Sequence, residues 1–200
     1  MNISTVRQAL PRAIFHAALG IIIIFFVYYL PRTPVLIVMA CCAVAFLAVD
    51  IARFKQVALK GIFSRWLATF LRKSEDRRLT GASYFLLGCL ITTLAFPKEI
   101  SVAAILFLSL GDPAAALVKR WKGRVWWGTK SLEGNIACLV VCLLAGAFVI
   151  GFLGKPAAGA VIAGAVFAAL FQGIPIPVND NLTIPIGSGL IMLGINALLT

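Results

Sequence analysis

Apolar residues run through this chain in stretches that approach the length a helix needs to cross a bilayer, roughly 17 to 21 residues for about 30 Å of hydrocarbon. Seven stretches predict seven spans, at 13–30, 34–49, 79–96, 100–118, 133–153, 156–174 and 182–199, the second of them short. The expected fold class is all-α, a polytopic membrane helix bundle of about seven transmembrane helices. Residues 1–200 form one transmembrane domain, with too little sequence left over for a soluble one. Between the second and third spans, Leu59, Ile62, Phe63, Trp66, Leu67 and Phe70 repeat at helical spacing while Lys60, Ser64 and Arg65 fall on the other face. That pattern predicts an amphipathic helix in the headgroup layer, either a plain anchor or a gate for a lipid arriving sideways.

Composition agrees, since 62% of the 200 residues are hydrophobic and 12% are charged. The five cysteines, Cys41, Cys42, Cys89, Cys138 and Cys142, all fall inside spans with no metal-type spacing and read as buried thiols. The first run has no small-residue cleavage site and reads as a retained span. A formal net charge of +11 raises the question of nucleic acid, but its distribution answers with topology. Of the 18 Lys and Arg residues, only Arg32, Lys98 and Lys155 lie on one side; the rest precede the first span, separate the second from the third, or follow the fourth. The positive-inside bias then predicts a multi-pass protein of the inner (cytoplasmic) membrane, N-terminus in the cytoplasm and C-terminus outside, with no nucleic-acid partner.

The acids do not follow from topology, yet Asp50, Glu75, Asp76, Asp112, Glu133 and Asp180 all fall on or near the basic side, leaving only Glu99 across the membrane. Carboxylates amid many bases at one face suit a polyphosphate with its divalent cation: acids for the metal, bases for phosphate oxygens. In the same topology, spans one, three, five and seven begin at that face with their positive dipole ends. Thr80-Gly81, Ser131-Leu132-Glu133-Gly134 and Asp180-Asn181-Leu182 supply cap-type residues and backbone N–H groups there. Pro185 falls in the expected first turn of the seventh span, where a missing N–H is tolerated. Within the fourth span, Gly111-Asp112-Pro113-Ala114-Ala115 sets an acid near hydrocarbon, a functional-site hypothesis by default. Pro113 deprives the Ser109 carbonyl of its helical partner, and small neighbours allow close approach, so either a hard-cation site or a simple kink with a paired Asp is expected. There is no G-x-x-x-x-G-K-[ST] loop.

The order of these segments resembles the family of dolichol kinases, phytol kinases and CTP-dependent diacylglycerol kinases. Arg72-Lys73-Ser74-Glu75 with Leu79-Thr80-Gly81-Ala82-Ser83-Tyr84 resembles its RK-x-E and TGa-x-Y segment, and Gly111-Asp112-Pro113-Ala114-Ala115 its GDP-x-AA. Lys130-Ser131-Leu132-Glu133-Gly134 resembles KSLEG, Asp180-Asn181-Leu182-Thr183-Ile184-Pro185 resembles DNLTIP, and Arg12 with His16 resembles an R-K-x-x-x-H opening. Val118, Lys119 and Thr129 stand where the family tends to have glycine. The resemblance implies a membrane kinase using CTP and Mg²⁺ to phosphorylate the hydroxyl of a lipid alcohol at the cytoplasmic surface. It makes Asp112 and Asp180 the leading metal ligands, with Glu133 as a third ligand or support. Lys130, Arg72, Lys73 and Arg78 become candidates for the phosphates, and Thr80, Gly81 and Ser131 for backbone N–H contacts. Gly111 and Asn181 belong to the same nucleotide-binding set. The base for the lipid hydroxyl is open among Asp112, Glu75 and His16.

Two other readings compete. A phosphatidate cytidylyltransferase has a similar constellation but a C-terminal signature with paired histidine-glycine and Asp-Arg elements, whereas the one histidine here is His16. A small transporter would hold its polar residues near midplane in matching halves, and no repeat is visible. The small-residue run at 157–164, with Gly159 and Gly164, leaves an oligomer open.

Overall fold

The computed structural model describes residues 3–55, 79–122, 124–127, 130–175 and 177–199. The amphipathic stretch expected at 59–70 lies outside them. Seven helices make up nearly all of the described chain: α1 Ile3–Tyr29, α2 Arg32–Lys55, α3 Gly81–Ala95, α4, α5 Leu132–Leu153, α6 Ala158–Gly173 and α7 Asp180–Leu199. Helix α4 is one rod in three parts, Lys98–Leu106, a π-helical turn Phe107–Gly111, and Asp112–Lys122. A short antiparallel hairpin, β1 Val125–Trp127 with β2 Lys130–Ser131, joins α4 to α5. The all-α membrane bundle read from the sequence is thus the observed architecture. Five helices are long and apolar enough to cross a membrane, while α3 and α6 are shorter apolar helices.

Rod α4 is the axis of the bundle. Its best apolar window is 72% buried, against 22–28% for the other long helices, and it packs against α1, α3, α5, α6 and α7. Ile105, Phe107 and Leu108 are completely enclosed. The outer helices turn Phe25, Phe26, Val38, Leu144, Phe148, Ile162 and Leu170 outward, the apolar belt that hydrocarbon would cover. Helix α2 sits at the edge, against α3 and a little of α1. Cys41 and Cys42 are consequently exposed on its outer side, so the expectation of five buried thiols holds only for Cys89, Cys138 and Cys142.

Close approach between helices follows from small residues and one proline. Added Cβ atoms would stand 2.7 Å from Cys142 Sγ at Gly111 and 2.8 Å from the Ala115 carbonyl at Gly134, so α4 and α5 touch nearly backbone to backbone. Pro185 lies deeper in α7 than its expected first turn, and with no N–H it leaves the Asn181 carbonyl unclaimed by the helix. That carbonyl points at α3, where a Cβ on Gly88 would fall 2.0 Å from it. At the opposite end of the bundle, Arg32 donates to the Thr93 and Leu94 carbonyls at 2.9 and 2.7 Å, covering the C-terminal carbonyls of α3.

Candidate functional site

A continuous series of contacts gathers the polar segments at one end of the bundle. It starts at Asp50, 1% exposed near the end of α2, whose Oδ2 accepts from Thr80 N–H at 2.7 Å, Thr80 Oγ1 at 3.0 Å and Ser83 Oγ at 2.7 Å. Arg53, one turn on, pairs with its Oδ1 at 3.3 Å. Across the same helix start, Asn181 Nδ2 donates to the Gly81 carbonyl at 2.8 Å, tying α7 to α3. Next to Asn181, Asp180 Oδ2 holds Lys130 Nζ at 2.6 Å, both groups partly buried. Ser131 then caps α5 by accepting from Gly134 N–H at 3.1 Å, and Gly134 lies against Ala115 of α4. One turn before Ala115 is Asp112, whose Oδ1 accepts from Gln172 Nε2 of α6 at 3.0 Å. Gly173 closes the ring, since a Cβ there would overlap Asn135 of α5.

Local chemistry explains why each side chain is available. Asn179 caps α7: its Oδ1 accepts from Asn181 N–H at 3.0 Å and its carbonyl from Leu182 and Thr183 N–H. The cap thus lies just before the expected Asp180-Asn181-Leu182 opening, with Asp180 turned to Lys130 and the Asn181 side-chain amide to α3. Asp112 begins the last segment of α4 directly after the π turn, and its own N–H is spent on the Leu108 carbonyl. Gln172 is 7% exposed, and its Oε1 is buried with no hydrogen-bond partner among the described residues.

Along nearly its whole length the chain is similar to proteins of known name. It is 26% identical over 213 aligned residues to CTP-dependent diacylglycerol kinase 1 of Saccharomyces cerevisiae, covering 93% of this chain and 73% of the yeast protein. Identity to CTP-dependent diacylglycerol kinase 1 of Schizosaccharomyces pombe is 31% over 98 residues, 46% of this chain and 43% of that one. Over most of its length the chain is therefore similar to a CTP-dependent lipid kinase. An uncharacterised protein of Rickettsia prowazekii is 27% identical over 181 residues, 88% of each chain. No family model matches, and no solved structure matches.

Within this chain, the segments of the TGa-x-Y, GDP-x-AA, KSLEG and DNLTIP type are the ones that meet at the polar end. Their side chains are not all disposed as expected. Thr80 was expected to offer its N–H to a phosphate, but that N–H and the hydroxyl are both taken by Asp50. The Gly81 carbonyl accepts from Asn181 and the Ser131 hydroxyl from Gly134 N–H, bonds that join helices or cap them and do not involve the Gly81 and Ser131 N–H groups expected to meet phosphate. The three proposed metal carboxylates face separate partners: Asp112 faces Gln172, Asp180 faces Lys130, and Glu133 Oε2 accepts from Arg124 N–H at 3.1 Å. Among the described residues no three of His, Cys, Asp and Glu gather into a group that could hold a metal ion. His16 is buried, its ring 4.8 Å from that of Phe85 on α3. Arg72, Lys73, Glu75 and Arg78 lie outside the described residues.

Asp50 and Gln172 were missed as site residues. For Asp50 a signal existed, an acid three positions before Arg53 at the end of an apolar run. Nothing in the pattern marked Gln172.

Proposed function

We propose that this protein is an integral membrane kinase that transfers the γ-phosphate of CTP to the hydroxyl of a lipid alcohol, of the diacylglycerol, polyprenol or phytol kind, at the cytoplasmic face. The observation that carries the reading is the convergence of four motif segments, distant in sequence, through direct contacts at one end of the bundle. Similarity to the yeast kinases supports kinase chemistry, and their names support CTP as donor and diacylglycerol among the acceptors. In this reaction the lipid oxygen forms a bond to the γ-phosphorus, the bridging P–O bond breaks, CDP departs, and the hydroxyl proton passes to a base. Lys130, held extended by Asp180, is positioned to neutralise phosphate oxygens, with Arg72, Lys73 and Arg78 as further phosphate contacts. Asp112, Glu75 and His16 remain the candidates for the base.

The donor chemistry around Asp112 fits Mg²⁺, because a partly exposed carboxylate lies beside a buried amide oxygen with no partner among the described residues, both hard oxygens. Asp112 would hold the ion, with Asp180 and Glu133 as the other carboxylates of the same end. When bound, it would neutralise charge on the transferring phosphoryl group. The decisive experiment supplies γ-labelled CTP to the purified protein with a panel of lipid alcohols. Label in the lipid is the expected result. Cytidine in the lipid would select the cytidylyltransferase, and no transfer at all, with no thermal stabilisation by CTP, would leave the transporter.

A further inference from the structure

Gln172 occupies the last turn of α6, and its side chain is almost wholly enclosed. Its amide nitrogen donates to Asp112 Oδ1 at 3.0 Å. That orientation is dictated by chemistry, since an ionised carboxylate has nothing to donate and the amide oxygen cannot face it favourably. The oxygen of the same amide, Oε1, is then left buried without a hydrogen-bond partner among the described residues. A buried acceptor in that state costs free energy unless something brings it positive charge or a proton.

The substrates of the proposed reaction narrow what that is. Phosphate oxygens are acceptors and would worsen the deficit. A lipid hydroxyl carries one proton, so it satisfies either the carboxylate or the amide, not both. Lys130 Nζ meets Asp180, not Asp112 or Gln172. A bridging water could donate to both oxygens and a hard divalent cation could bind both; carboxylate and amide carbonyl oxygens are the ligands such ions take, and the Mn²⁺ measurement below separates the two. We propose that Gln172 is a metal ligand: its Oε1 and the Asp112 carboxylate together form the protein's share of a divalent-cation site, while its N–H fixes which carboxylate oxygen faces the ion. Waters fill the remaining positions, joined by phosphate oxygens under the kinase reading, which is the one part of the inference that rests on it.

The test uses the full chain in detergent and reads Mn²⁺ binding by the loss of its free EPR signal, with and without CTP. Wild type binds Mn²⁺ in competition with Mg²⁺. Gln172→Met and Asp112→Asn each weaken binding about 10- to 100-fold, the range found when groups that orient metal ligands are removed. Gln172→Glu, which keeps an oxygen and adds charge, binds at least as tightly as wild type. Thermal melting checks that each variant folds, and if Gln172→Met does not, Gln172→Glu decides, weaker binding overturning the proposal. Wild-type affinity in Gln172→Met, or no Mn²⁺ binding by wild type, also overturns it. Because binding is read without phosphoryl transfer, a protein that binds Mn²⁺ through Gln172 but phosphorylates no lipid defeats only the kinase reading. An active kinase whose Mn²⁺ affinity ignores Gln172 defeats only this one.

Discussion

Replacing Asp50 by alanine tests whether the polar end is held together as described. The substitution removes one carboxylate and takes a partner from four groups: the Thr80 N–H, the Thr80 and Ser83 hydroxyls, and the Arg53 guanidinium. Hydrogen bonds to a charged acceptor contribute about 1.5–3 kcal/mol each, but they share one acceptor and do not add. The controlling cost is a buried cation deprived of its carboxylate, since Arg53 is 5% exposed, and breaking such a buried pair destabilises by about 3–5 kcal/mol. At about 2–4 °C per kcal/mol for a chain of this size, the melting temperature falls by about 6 to 20 °C. Thermal unfolding in detergent measures it, with Ser83→Ala as the single-bond control and the Asp50→Ala, Arg53→Met double variant as the check on charge. The double variant recovers part of the loss because no buried cation remains. A fall under about 1 kcal/mol for Asp50→Ala, or no recovery in the double variant, refutes the reasoning.

Asp112→Asn leaves the fold intact and cuts turnover below about a tenth of wild type in the labelled-CTP assay, a loss of more than about 1.4 kcal/mol of transition-state stabilisation. Lys130→Ala mainly weakens nucleotide binding, read as a smaller CTP-induced rise in melting temperature; equal affinity would remove the lysine from the phosphate site. Gly111→Ala pushes a methyl toward Cys142 and Cys138 Sγ, 2.7 and 3.0 Å away, and costs about 1–3 kcal/mol by thermal unfolding. Adding Cys142→Ala restores part of that loss by opening the space.

The helices were legible because a span's length and apolarity are properties of a single segment, and each expected span finds a helix, five of them of spanning length, although the first helix starts at Ile3, well before the expected 13, and the second runs on to Lys55, past the expected 49. Pairings between segments were not. That Asp50 would claim Thr80, or Gln172 reach Asp112, depends on which helix ends meet, and no periodicity encodes it. The start of α7 was read at Asp180-Asn181-Leu182, whose residues are of the capping type; the structure caps the helix with Asn179, just outside that segment, and Asp180 faces Lys130. Cys41 and Cys42 were misjudged for a related reason. In lipid an apolar residue is equally at home inside or outside, so hydropathy cannot say which face of α2 is covered.

The five-residue π turn at Phe107–Gly111 winds one more residue into the middle rod than an α-helix of the same rise would. Everything from Asp112 onward is thereby keyed to the upper half at Ile105 by a fixed angular offset. Losing one residue from that turn would swing the two halves by about 100° relative to each other, aiming the carboxylate away from Gln172 while every apolar position kept its character. The site's alignment therefore depends on a residue count in the bundle's interior, a kind of information that substitution tables of individual positions do not register.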